Sequence, residues 1–245
     1  MDVLVIVPTY NERENLPALV PAILIHPSTR VLIIDDQSPD GTGAVADRLA
    51  AASAGRVEVI HRTGPRGLGR SYLDGMRRAL ATKADLICQM DADLSHDPEH
   101  LPDLIAAAAD HDLVIGSRYL NGISVVNWPL RRIALSLVAN RYIRAVTWLD
   151  VRDCTSGFRC WRRAALSRLS FDDVRSEGYA FLVEMLYEAA RHRCRIVEVP
   201  IVFVERKQGQ SKLSLKVLLE SLVTPWRLVL RRHHRHSADA ALRED

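Results

Sequence analysis

The sequence predicts an α/β fold, an open and mainly parallel sheet with helices on both faces. Two observations predict it: short apolar runs alternate four times with helical patterns, and reactive side chains leave those runs at the same end. A third sets the class. With 48% hydrophobic and 26% charged residues over 245 positions, the chain has the composition of a folded, core-forming protein, neither disordered nor fibrous.

The expected strands are Asp2 to Val7, Arg30 to Asp35, Val57 to His61, Leu86 to Met90 and Leu113 to Ser117. Each is short and apolar enough to be buried in a parallel sheet. Helical patterns fall between them, near 12–25, 41–54, 71–81 and 98–109. Right-handed crossovers then place a ligand site along the carboxyl ends of the strands. The first strand exits into Pro8-Thr9-Tyr10-Asn11-Glu12 and the second into Asp35-Asp36-Gln37-Ser38-Pro39-Asp40-Gly41-Thr42. The fourth exits into Asp91-Ala92-Asp93 and the fifth into Gly116-Ser117-Arg118. Four such exits on one edge favour a functional cleft over four unrelated turns.

Beyond Arg118 the alternation stops. A long helix is expected from Trp128 to Leu149, a second from Gly178 to His192, a strand from Ile196 to Val202 and an amphipathic helix over 213–232. Residues 233–245 read as a frayed tail whose histidines are solvated. No internal repeat or Gly/Ser-rich linker divides the chain.

Net charge is only +3, so the molecule is no polycation of the kind that coats nucleic acid. The distribution is more telling: from Leu113 to Leu149 there are Arg118, Arg131, Arg132, Arg141 and Arg144 without one Asp or Glu. Such a stretch expects an anion or an anionic surface. The arginines interleave with aliphatic residues instead of base-stacking aromatics, which further disfavours nucleic acid. Cys88, Cys154, Cys160 and Cys194 have no C-x-x-C spacing and read as reduced thiols in a cytosolic setting. No secretory signal opens the chain, and no apolar stretch reaches the roughly 18 residues of a spanning helix.

Asp91-Ala92-Asp93 is the central motif. Two carboxylates one residue apart at a strand end suit a hard divalent cation that also holds a diphosphate. Taken singly it is equally a polar turn before the helix start Asp97-Pro98-Glu99. Asp36 and Asp40 suit a ribose or base edge but also cap the next helix. Tyr10 can stack on a base and Glu12 can bind base or sugar, or start a helix. The basic loop Arg62 to Arg70 lacks the Lys and Ser/Thr of a Walker loop and reads as a flexible segment that touches the nucleotide. No glycine fingerprint follows the first strand, so a Rossmann dehydrogenase is disfavoured.

Together with Gly67-Leu68-Gly69, Asn127-Trp128-Pro129 and Ser156-Gly157-Phe158-Arg159, these motifs resemble the family 2 glycosyltransferases, and within them the polyprenyl-phosphate mannosyltransferases. The resemblance covers about residues 2–215. It implies a GT-A fold, GDP-mannose as donor, a polyprenyl (dolichyl-type) monophosphate as acceptor, Mg²⁺ or Mn²⁺ as cofactor, and inversion at the anomeric carbon. By position, Pro8, Tyr10, Glu12, Ile34 and Asp36 would meet the nucleotide, and Asp91, Ala92 and Asp93 the diphosphate and metal. Ser95 stands where some relatives carry a Gln ligand. Arg118 would face the reacting phosphates, with Arg206 and Lys212 closing over the donor.

The acceptor phosphate falls to Arg118 and Arg131, with Ser136 as a further candidate, because a guanidinium fork matches phosphate oxygens. Glu184 is expected to orient, not to act as base. On this reading residues 1–232 form one catalytic domain, with a nucleotide-sugar half (1–118), an acceptor half (119–212) and an interfacial helix (213–232). A lipid acceptor also gives Trp128 to Leu149 and the 213–232 segment a reason to dock on a membrane surface, at the cytoplasmic face, although each is compatible with core packing. A glucosyl or amino-sugar transferase using a UDP-sugar, a nucleotidyltransferase and a silent nucleotide-binding module are the competing classes.

Overall fold

The computed structural model describes residues 1–174, 176, 178–205 and 222–231. Its first half follows the expected alternation: β1 (Val3–Thr9), α1 (Leu16–Leu24), β2 (Thr29–Asp35), α2 (Thr42–Ala52), β3 (Val57–His61), α3 (Leu68–Leu80), β4 (Leu86–Gln89), α4 (Leu101–Ala107) and β5 (Leu113–Ser117). The second half holds β6 (Val125–Val126), α5 (Leu130–Thr147), β7 (Arg159–Arg162), α6 (Arg163–Leu166), α7 (Gly178–Arg191), β8 (Ile196–Pro200) and β9 (Phe203–Val204). Residues 222–231 are helical. The rest of the expected 213–232 helix, the tail, Arg206 and Lys212 lie outside the described residues.

The main sheet has the order β3-β2-β1-β4-β7-β5-β8. All its neighbours are parallel except β7, which runs antiparallel between β4 and β5. Every residue of β1 and β4 is buried, as continuous apolar strands covered on both faces should be. Alternation then divides β1 between two cores. Leu4 and Ile6 pack under α3 and α7, while Val3, Val5 and Val7 pack under α1, α2 and α4. Gly75 brings α3 close to the sheet, since a Cβ there would lie 2.6 Å from Ile6 Cγ2.

The inserted strand was not anticipated, because Arg159-Cys160-Trp161-Arg162 carries two arginines. Its polar groups are satisfied internally. Trp161 Nε1 donates to Gln89 Oε1 at 2.8 Å, and the buried Arg159 donates to the carbonyls of Ser156, Leu182 and Cys154. A small parallel ribbon of β6 and β9 lies beside the main sheet. Ser95 and His96 join its edge: Val204 N donates to Ser95 O, and His96 bridges Phe203. The four cysteines are free and buried.

Candidate active site

The exits of β1 and β2 brace each other. Thr9 Oγ1 and Ser38 Oγ donate to Asp35 Oδ1, and Glu12 N donates to Thr42 Oγ1 at 2.9 Å. Asp40 Oδ1 accepts from Thr42 N and Oγ1 in a turn just ahead of α2, whose N-cap position is Gly41. Burial works to raise the Asp40 pKa, but these hydrogen bonds outweigh it and the carboxyl sits below its usual range. Pro8 lies in β1 paired to Ile34, and the Ile34 side chain is core, packed against Gly75. Only the main chain of Ile34 is therefore available to a ligand.

Asp36 has both oxygens engaged. Oδ1 pairs with Arg62, and Oδ2 accepts from Gly67 N at 2.8 Å. Arg62 also donates to Asp74 at 2.7 Å. Arg66 lies over the Tyr10 ring, 4.7 Å from its centroid, and bonds its hydroxyl. The basic loop expected to touch the nucleotide is thus clamped across the first two strand exits.

The acidic turn follows β4. Tyr72 donates to Asp91 Oδ1 at 2.9 Å, and Asp91 N donates to His96 Nδ1 at 3.2 Å. The His96 ring is buried, stacked on Phe158 at 5.1 Å and edge-on to Phe203 at 5.5 Å. Gly157 closes the cradle: a Cβ there would stand 3.3 Å from Asp91 Oδ2. Ala92 is buried, and Asp93 Oδ1 accepts from Ser95 N at 3.1 Å and Ser95 Oγ at 2.5 Å. The structure therefore bonds Ser95 to Asp93.

Burial, with Asp93 adding its charge, raises the Asp91 pKa above the usual carboxylate range although His96 and Tyr72 oppose it. Asp91 and Asp93 supply oxygen donors of the kind a hard divalent cation takes, and no group of three or more His, Cys, Asp or Glu side chains that could hold a metal is found among the described residues. Burial holds the Tyr72 hydroxyl well above its usual pKa, which keeps it a donor. Burial likewise lowers the His96 pKa, in keeping with a neutral ring that accepts at Nδ1.

Arg118 is 7% exposed. Its Nε and Nη2 grip Asp153 at 2.7 and 2.6 Å, and Nη2 also reaches Thr155 Oγ1 at 2.8 Å. Its guanidinium carbon lies 5.3 to 5.5 Å from the ring centroids of Tyr119, Trp128 and Phe203. Ser136 accepts from Tyr119 Oη at 2.7 Å. The two arginines at the start of α5 diverge. Arg131 faces outward, whereas Arg132 shares the Ser136 face one turn earlier and lies 4.0 Å over the Trp128 ring. The sequence points to Arg131 for the acceptor phosphate, and helix phase sets Arg131 and Arg132 on different sides of α5. Glu184 is buried and accepts from Ser176 N and Arg231, as an orienting residue would.

A continuous path of contacts links the acids to the arginines: Asp91 to His96, His96 to Phe203, Phe203 to Trp128 at 5.3 Å, and Trp128 to Arg132.

The outward side of α5 is not the solvated face that core packing would give. Leu130, Leu137 and Val138 are exposed there, Val138 to 65%. Arg131, Leu135, Val138 and Tyr142 form one helical stripe, and Tyr142 Oη donates to Leu222 O at 2.6 Å. Leu222, Val223, Trp226 and Leu230 on the 222–231 helix are exposed as well, so the two helices present adjoining apolar side chains. No helix among the described residues is long and apolar enough to cross a membrane.

Residues 4–170 match the model of Glycosyl transferase family 2. The chain is 45% identical over 229 residues to a polyprenol monophosphomannose synthase of Mycolicibacterium smegmatis, covering 91% of this chain and 86% of that one. It is also 45% identical over 234 residues to an undecaprenyl-phosphate mannosyltransferase of Micrococcus luteus, covering 94% and 96%. Among solved structures, glucosyl-3-phosphoglycerate synthase of Mycobacterium tuberculosis, crystallised with Mn²⁺, uridine diphosphate and phosphoglyceric acid, superposes with a TM-score of 0.67. That match spans 94% of this chain and 78% of that one at 18% identity, and establishes a shared GT-A-like fold. The fold, the ordered motifs and these relatives agree: the chain belongs to glycosyl transferase family 2.

Proposed function

We propose that the protein transfers mannose from GDP-mannose to a membrane polyprenyl monophosphate, with inversion, giving polyprenyl-phosphate mannose and GDP. The observation that carries this reading is the contact path from Asp91 through His96, Phe203 and Trp128 to Arg132, which connects an acidic turn suited to a metal diphosphate with an arginine suited to a second phosphate. Donor and acceptor both being phosphates, one cluster of each kind is what the reaction needs.

Asp91 and Asp93 would hold Mg²⁺ or Mn²⁺, with Ser95 orienting Asp93. When bound, the cation supplies positive charge for the diphosphate that leaves. Tyr72 and His96 keep Asp91 in place throughout. Tyr10, Glu12, Pro8, the Ile34 main chain and Asp36 line the nucleotide side, Asp36 chiefly by fixing the loop that carries Arg66.

The acceptor is a phosphate monoester with a second pKa of about 6, so near neutral pH its oxygen is already an adequate nucleophile. That oxygen forms the new bond to the anomeric carbon as the old bond to the diphosphate breaks. Placement is the protein's task. We assign it to Arg132 and Ser136, with the Arg118–Asp153 ion pair holding the neighbouring aromatic side chains in place. Arg131, on the outward stripe, is reassigned to the membrane-facing side, where the apolar side chains of α5 and the 222–231 helix suit a bilayer surface. The reading puts the enzyme peripherally on the cytoplasmic face.

Purified protein incubated with radiolabelled nucleotide sugars, a short-chain polyprenyl phosphate and Mg²⁺ or Mn²⁺ tests the proposal. GDP-mannose is expected to give an organic-soluble, acid-labile product. Product from UDP-glucose alone would move the chain to the glucosyl class, and GDP binding without any transfer would make it a silent module.

A further inference from the structure

Two features of the aromatic and arginine cluster stand unexplained by the fold. Arg132 already has a counter-ion, since its Nη1 lies 2.5 Å from Glu205 Oε1. Trp128, directly beneath that guanidinium, has an indole Nε1 that is buried with no hydrogen-bond partner among the described residues. A buried N–H without an acceptor costs on the order of 1–3 kcal/mol, so this donor favours an arriving oxygen acceptor. Glu205 is held independently of Arg132. Its backbone N donates to Val126 O at 3.0 Å, continuing the β6–β9 ribbon, so its carboxylate is delivered to this spot by the ribbon. An arginine neutralised by a part-exposed carboxylate, beside an unsatisfied donor, has the make-up of an anion site holding an internal substitute.

We infer that Glu205 occupies the acceptor-phosphate position on Arg132 in the lipid-free enzyme and is exchanged for the phosphate when the acceptor binds, the Trp128 indole then donating to a phosphate oxygen. The inference rests on the assignment of Arg132 to the acceptor. Exchange of one anion for another costs less than stripping an arginine bare, because the guanidinium is never left unpaired in a half-buried site. It also selects. A phosphate dianion offers more charge and more acceptor oxygens than the carboxylate it displaces, whereas a neutral alcohol offers no charge with which to displace it. Glu205 thereby becomes a specificity residue for a phosphate-terminated lipid.

The test is steady-state kinetics with a short-chain polyprenyl phosphate, and inhibition by inorganic phosphate, in Glu205→Gln, Glu205→Asp and Arg132→Ala. Removing the competing charge in Glu205→Gln is expected to lower the acceptor KM about two- to fivefold, the size of a part-exposed ion pair, and to tighten phosphate inhibition in parallel. The donor KM stays unchanged, and Glu205→Asp, which keeps the charge, stays near wild type. In Arg132→Ala the Glu205→Gln effect disappears. An acceptor KM that is unchanged or raised in Glu205→Gln overturns the exchange. If Arg132→Ala alone leaves the acceptor KM intact, the assignment of Arg132 itself has failed, and the two failures are distinguishable.

Discussion

The Tyr72 hydroxyl donates a 2.9 Å hydrogen bond to Asp91 Oδ1, so a fully buried phenol on α3 fixes the rotamer of the first acid of the acidic turn after β4. Phe at this position removes only the donor. A buried hydrogen bond to a charged group contributes about 1.5–3 kcal/mol, so Tyr72→Phe is expected to lower kcat/KM by about ten- to a hundredfold and to weaken Mn²⁺ binding in a titration. The fold should be kept, because the Tyr72 ring stacks on Phe181 at 6.0 Å and Phe preserves that contact. Unchanged metal affinity would show that Asp91 is positioned without it.

Arg131 and Arg132 are expected to separate by function. Arg132→Ala is expected to raise the KM for a short-chain acceptor by at least about tenfold without changing the Kd for GDP, as loss of a charge-assisted bond to phosphate predicts. Arg131→Ala should leave that KM alone and weaken binding to anionic vesicles. The reverse pattern would restore Arg131 to the acceptor phosphate.

The pair of Arg118 and Asp153 makes a statement about acid. Burial alone would raise the Asp153 pKa, but the Arg118 charge and hydrogen bonds outweigh it and hold the carboxyl below its usual range. A carboxyl depressed in the folded state adds stability that is complete above its unfolded pKa of about 3.9 and is lost as pH falls through the folded value. Urea unfolding of Asp153→Asn at pH 7 should show a loss of about 3–5 kcal/mol, because Arg118 is left buried and unpaired. The gap to wild type should shrink as the pH is lowered below about 4. A gap that is absent at pH 7, or that widens in acid, would contradict the account.

Much of this site was legible in the sequence because parallel strands buried on both faces leave their polar residues at one edge. The acids after β4, the Asp40 turn after β2 and the Tyr10 exit all lie where the strand ends put them. Residues whose environment runs against their type were not legible. Arg159 is buried among carbonyls, which let β7 enter the sheet where its two arginines argued otherwise. On α5 Leu130, Leu135, Leu137 and Val138 are exposed, so hydrophobic phase, the usual guide to a helix's buried face, points away from Arg132. Tyr72 and His96 carry no sequence signal of their own, since an apolar helix face and a turn histidine are ordinary features.

The outward stripe gives a separate prediction. Val138→Asp together with Trp226→Asp places charge on exposed positions and is expected to abolish co-sedimentation with vesicles containing anionic lipid while leaving transfer to a detergent-dispersed short-chain acceptor intact. Undiminished vesicle binding would remove this face from the membrane contact.

The central claim is that Asp91-Ala92-Asp93 binds a metal and GDP-mannose while the acceptor cluster brings in a lipid phosphate. Transfer from radiolabelled GDP-mannose to a short-chain polyprenyl phosphate, measured for wild type and Asp93→Ala with added Mn²⁺, tests it most directly. The account predicts labelled polyprenyl-phosphate mannose from the wild type and none from Asp93→Ala; full transfer by that variant, or none by the wild type, would contradict it.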